Sequence, residues 1–200
     1  MSIEHHVIIG PGLDNRTWPI KFVTRNWPEK YDLIPDVLSI NWKDGEGFVP
    51  KLEIFINAID QHVKLEHEVY LMGLSGSGSA ALHAYLERRD QVNKVVNICG
   101  RLRPGKETGF RSFERRTASS PGFGESVIQF AGKEYLLTDD DKKKILTVRA
   151  FWDELVPEDT TIINGALNIK LNTREHIYTI ATALTRYEPV IMFLKGDPGD

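Results

Sequence analysis

The sequence predicts an α/β protein built on a mostly parallel six-stranded sheet with helices on both faces. Two observations carry this. Short β-branched runs alternate along the chain with longer segments of helical period, a rhythm that builds a parallel sheet covered on both sides. The size agrees: 200 residues, 41% apolar and 26% charged, suit one domain with a core of its own.

The first run is Val7-Ile8-Ile9, broken by Gly10-Pro11-Gly12. The second, Val37 to Ile40, is bracketed by Pro35 and the turn pair Asp44-Gly45. Between them Pro19 and Pro28 restrict the Trp-rich stretch around Trp18 and Trp27 to short helical turns. Leu52, Phe55, Ile56, Ile59 and Val63 then recur at helical spacing and form one apolar face. Val69 to Met72 reads as the third strand, Ser79 to Arg89 as a helix, Val92 to Cys99 as the fourth strand and Ile145 to Ala150 as the fifth. Ala166 to Leu171 is the sixth, followed by a helix with Ile177, Ile180, Ala181 and Leu184 on one face. Residues 101–144 break the rhythm. They are rich in Gly and Pro at first and helical from Glu125 onward, and they read as a lid-like insertion in a single domain spanning 1–200.

Composition narrows the function classes. A net charge of −3 gives no bulk case for nucleic acid. No apolar stretch approaches the roughly 20 residues of a membrane helix. The single cysteine, Cys99, excludes an internal disulfide and lies in an apolar run that suits a buried, inert thiol. The N-terminus reaches the polar pair His5-His6 and only a short stretch before Gly10, too little for a signal-peptide core, so a cytoplasmic protein is expected. Oligomeric state has no signature here.

The richest passage runs from Val69 through Gly73-Leu74-Ser75-Gly76-Ser77-Gly78 into Ser79-Ala80-Ala81. An apolar strand turns directly into a helix of small residues, with a serine at the corner. Gly76-x-Gly78-x-x-Ala81 also fits a dinucleotide fingerprint, but the acidic ribose contact expected about 20 residues on is missing. A P-loop is excluded because no lysine follows Gly78. Two further residues follow predicted strands: Asp153, in Asp-Glu-Leu-Val-Pro, and His176, after the sixth strand. Three strand ends therefore bring Ser75, Asp153 and His176 to one edge of the sheet.

Gly73-x-Ser75-x-Ser77 resembles the nucleophile elbow of the α/β-hydrolase superfamily, Gly-x-Ser-x-Gly, with Ser77 in place of the second glycine. The order Ser75, Asp153, His176 is the order of the triad in that family, and Asp-x-x-Val-Pro is similar to its acid turn. The resemblance covers Val7 to Leu194 and implies a trimmed core without the family's leading antiparallel hairpin. It implies acyl transfer with Ser75 as nucleophile, His176 as base and Asp153 as the acid that orients it. It also implies an oxyanion hole from the amides of Gly76 and Leu13, since Pro11 in the intervening Gly-Pro-Gly turn has no N–H. No metal and no organic cofactor is required.

The expected substrate is a small-molecule carboxylic ester or thioester. Six basic residues between Arg101 and Arg116 allow two readings: Arg101, Arg103 and Arg111 bind an anionic substrate group, or the run is a solvated basic face. Ser77 and the missing His-Gly element also leave a second function open, a catalytically silent ligand- or protein-binding member of the fold.

Overall fold

A computed structural model describes residues 3–186 and 188–196. Its sheet is built from β1 (His5–Gly10), β2 (Ile34–Val37), β3 (Glu68–Leu74), β4 (Lys94–Ile98), β5 (Ile145–Ala150) and β6 (Leu167–Leu171). The order is β2-β1-β3-β4-β5-β6 and every pairing is parallel. The six-stranded α/β sheet predicted from the sequence is thus observed, and no antiparallel hairpin leads it among the described residues.

Side chains that alternate along each strand bury both faces. Ile8, Leu71 and Val95 enter one core, while Val7, Ile9, Met72 and Val96 enter the other. On the first side lie α3 (Val49–Lys64), α4 (Gly78–Glu87) and α6 (Pro121–Lys133), and on the second α1 (Thr17–Thr24), α2 (Trp27–Tyr31), α8 (His176–Thr185) and α9 (Glu188–Lys195). Two short helices, α5 (Phe113–Thr117) and α7 (Asp139–Lys143), complete the set.

Two elements differ from expectation. β2 pairs through Ile34 to Val37, ahead of the apolar run Val37–Ile40. Leu38 and Ile40 lie beyond the ladder and are buried as core plugs. Pro35 is tolerated because β2 is an edge strand. Helix α6 begins at Pro121 rather than Glu125, with the Ser120 hydroxyl accepting from the Phe123 N–H and proline in the first turn. Phe123, Val127 and Phe130 of α6 belong to the main core, as does Leu102 at the start of 101–144.

Behind the elbow, His83 of α4 packs against Phe48 and Phe130 and donates its Nε2–H to the Ser126 carbonyl at 3.1 Å. Burial pushes its pKa down to about 4. An unfolded histidine takes its proton near 6.5. The unfolded chain therefore binds more protons between these values, and stability present above pH 6.5 is lost as pH falls toward 4. Urea unfolding at pH 7 and 4.5 should show a loss of about 2 kcal/mol from this group. In His83→Gln that part of the pH dependence should vanish.

Candidate active site

The chain leaves β1 toward the β2 edge and leaves β3 toward β4. A crevice opens at the carboxyl ends of such a pair. The loop after β1 and the turn after β3 line it. Ser75 stands at the corner with φ of +50°, a left-handed conformation unusual for a residue other than glycine. A single 3₁₀ turn, Ser75–Ser77, then feeds α4. The sharpness of this corner explains Gly73: a Cβ there would lie 2.5 Å from the Ser77 carbonyl oxygen and 2.7 Å from Gly78 Cα.

Ser77, the departure from the elbow pattern, is fully buried. Its hydroxyl donates to the Pro11 carbonyl at 2.5 Å and accepts the Trp42 indole N–H at 3.3 Å. The hydroxyl therefore ties the elbow to the loop after β1. The far side of that loop is held by Asn15, whose side-chain oxygen accepts the Ile40 N–H at 2.8 Å.

Asp153 follows β5, and His176 opens α8 just beyond β6. His176 Nδ1 lies 2.7 Å from Asp153 Oδ2, and its Nε2 lies 2.8 Å from Ser75 Oγ. With the carboxylate accepting Nδ1–H, the Nε2 lone pair faces the serine hydroxyl. Asp153 and His176 are buried, and Ser75 is half-buried. Asp153 Oδ1 also accepts the backbone N–H groups of Leu155 and Val156 at 2.8 and 2.9 Å. Burial pushes the Asp153 carboxyl up, but the His176 contact and these two N–H groups outweigh it and hold the pKa below the ordinary value. Next to it, burial drives the Cys99 thiol well above its usual range, which keeps it protonated.

Leu13 and Gly76 also meet at this site. A Cβ on Gly76 would collide with the Leu13 side chain at 2.5 Å and lie 3.3 Å from the Leu13 nitrogen. A Cβ on Gly12 would lie 3.9 Å from Ser75 Oγ. The two backbone amides expected to form an oxyanion hole are therefore neighbours beside the serine.

A cleft of about 410 Å³ opens onto Ser75 and His176. Pro19, Ile20 and Val23 of α1 and Ile180, Ala181 and Leu184 of α8 give it an apolar wall. Arg16, Lys43, Arg115 and Arg116 supply its positive charge. Lys43 is paired with Asp14. Arg115 and Arg116 stack on Phe110, with no carboxylate within 4.0 Å among the described residues.

The substrate-binding arginines read from the sequence need correction. None of Arg101, Arg103 and Arg111 lines this cleft. Arg101 is buried and donates to the Arg111 carbonyl at 2.6 Å. Burial, with Arg116 and Arg111 nearby, pushes its pKa down to about 10. Arg103 is bound to Glu134 at 2.5 Å and to the Asp159 carbonyl at 2.7 Å. Arg111 lines a separate hollow behind Asp153. The chain turns between 101 and 116, so the later arginines of the run reach the cleft, and no local pattern marks which ones they are.

No family model matches the sequence. No curated protein matches it either. Solved structures do match, at low identity. One of two metagenome-derived lipolytic enzymes, LipS and LipT, superposes with a TM-score of 0.69 at 12% identity, covering 98% of this chain and 95% of its own. Est1E from Butyrivibrio proteoclasticus gives 0.67 at 13% identity, over 96% and 90% of the two chains. A putative hydrolase of the α/β superfamily from Xanthomonas campestris gives 0.61 at 14%, over 98% and 99%. The chain has the α/β-hydrolase fold. Among its described residues no helix is long and apolar enough to cross a membrane.

Proposed function

We propose that the chain is a serine hydrolase cleaving a carboxylic ester or thioester through an acyl-enzyme on Ser75. The observation that carries this is the continuous hydrogen-bonded chain from Asp153 through His176 to Ser75. His176 Nε2 takes the hydroxyl proton as Ser75 Oγ attacks the carbonyl carbon. Asp153 holds the tautomer and stabilises the imidazolium that forms. The Leu13 and Gly76 amides, neighbours beside the serine, would donate to the oxyanion. The imidazolium then protonates the departing alcohol or thiol, and water, deprotonated by the same ring, releases the acid. A silent binding protein would need neither the strained serine nor its alignment with the imidazole.

Labelling with a fluorophosphonate tests the assignment, because it phosphonylates an activated serine. Mass spectrometry should find the adduct on Ser75 alone, and no label on the folded protein would reject the reading.

The cleft suggests an ester with an apolar chain against α1 and α8 and an anionic group near Arg115 and Arg116. Charge-assisted hydrogen bonds are worth about 1.5–3 kcal/mol when sheltered and less at an exposed rim. Replacing both arginines with Gln should therefore raise KM for an acidic ester by about tenfold. A neutral ester of the same size should change little. High salt should shrink the difference, because exposed attractions are screened over about 10 Å at 0.1 M. A ratio of acidic to neutral kcat/KM that ignores both changes would remove the anionic group from the proposal.

A further inference from the structure

At the other end of the strands, away from Ser75, three histidines converge from distant parts of the sequence. His6 lies on β1, His62 in the last turn of α3, and His67 in the turn that enters β3. One ring nitrogen of each lies within 4.8 Å of one from both others. Their side chains are 10%, 12% and 18% exposed, sheltered yet open to an ion from solution.

Each ring has a carboxylate on its Nε2. Glu4 Oε2 lies 2.9 Å from His6 Nε2 and 3.5 Å from His67 Nε2, and Asp36 Oδ2 lies 3.3 Å from His62 Nε2. The nitrogens left without a carboxylate are the three Nδ1 atoms. Nδ1 of His62 and of His67 face each other at 3.1 Å, and Nδ1 of His6 is buried with no partner.

Three neutral imidazoles carry three N–H groups, enough for the hydrogen bonds to Glu4, to Asp36 and between His62 and His67, but the buried Nδ1 of His6 is left with no partner. A cation on the Nδ1 side would give it one. Each ring then turns its Nε2–H to a carboxylate and its Nδ1 lone pair to the ion, the pattern of metal-bound histidine held by an outer carboxylate. The spacing fits as well. Tetrahedral zinc with bonds of about 2.0–2.1 Å separates its ligand nitrogens by roughly 3.3 Å, close to the 3.1 Å between His62 and His67.

We propose that His6, His62 and His67 form a structural site for a zinc-class divalent cation, braced by Glu4 and Asp36. The ion would tie the start of β1 to the end of α3 and the start of β3. It has no part in the chemistry at Ser75. Binding requires His67 to turn out of its stack on His6, where the rings lie 4.3 Å apart and 7° from parallel. His67 lies in the short connection between α3 and β3, where its side chain is held by neither a helix nor a strand.

The test uses the full chain stripped with chelator and titrated with zinc chloride, followed by calorimetry and thermal unfolding. Wild type should give a saturable one-to-one isotherm at micromolar zinc and a Tm raised by several degrees. His62→Gln and His67→Gln should each weaken binding by about 100-fold or more, and Asp36→Asn, which removes only an outer carboxylate, by about 10–100-fold. Asp36 is half-exposed, so that variant keeps the comparison valid if a histidine variant misfolds. His176→Gln should bind zinc as wild type does, which separates this site from the Cys99, Asp153 and His176 group. Three results would overturn the proposal: no saturable binding, binding unchanged in His67→Gln, or binding lost in His176→Gln.

Discussion

Ser75→Ala is expected to lower kcat for ester hydrolysis by about 10⁶-fold, and His176→Ala by about as much, because the two act as one unit. On the proposed mechanism the alanine at 75 removes the oxygen that would be acylated. The alanine at 176 leaves that oxygen protonated, with no other base within hydrogen-bonding distance among the described residues. The residual rate in either variant should come from the Leu13 and Gly76 amides and from substrate binding. Ser77→Ala is the informative contrast. It keeps the nucleophile but strands the Pro11 carbonyl and the Trp42 N–H, both tied to the Ser77 hydroxyl. Its cost should appear in stability, at about 1–3 kcal/mol, with most of kcat retained. Stopped assays with a chromogenic acyl ester, paired with urea midpoints, separate the two effects. A dead Ser77→Ala beside an active Ser75→Ala would place the nucleophile two residues further on.

That contrast bears on what could be read from the sequence. Strands β1, β3, β4 and β5 were legible because residues buried on both faces leave apolar runs, and the edge strand β6 because Leu167, Ile169 and Leu171 alternate with polar residues. β2 was displaced because its own residues are only half-buried, while the more apolar Leu38 and Ile40 plug the core just after it. The start of α6 was hidden by Gly122 and Gly124, which resemble a loop. In the fold Gly122 is needed for close packing, since a Cβ there would lie 2.9 Å from the Gly47 carbonyl.

The positions of Ser75, Asp153 and His176 were legible for a topological reason. In a parallel sheet, residues that directly follow different strands emerge at the same edge, so order along the chain becomes proximity in space. The arginines had no such constraint. Which side chain of a basic run faces a cleft depends on turns that polarity does not encode. The three histidines are the extreme case. His6 and His67 become neighbours only through the register that pairs His6 with Val69, and His62 joins them because α3 ends beside that register.

Asp153→Asn should lower kcat by about 10⁴-fold while leaving the fold intact. An asparagine oxygen can still accept the Leu155 and Val156 N–H groups that now bind Oδ1. Its amide then points N–H at His176 Nδ1, which must answer with a lone pair. The ring proton moves to Nε2 and faces Ser75 Oγ as a donor, so the base can no longer take the hydroxyl proton. Asp153→Ala should be no more active and less stable. It leaves Leu155, Val156 and the imidazole without their acceptor, at about 1–3 kcal/mol for each buried group. The carboxylate's own contribution has a defined pH window. Its folded pKa is depressed, so the stability it adds is present above the unfolded value of about 3.9 and is lost as pH falls through the folded one. Thermal unfolding of wild type and Asp153→Asn should therefore converge in strong acid, and kcat at neutral pH gives the catalytic loss. An Asp153→Asn variant that keeps kcat within tenfold would mean another group fixes the imidazole. Glu154 would be the one to change next, because its carboxylate already accepts the backbone N–H of His176 at 3.0 Å.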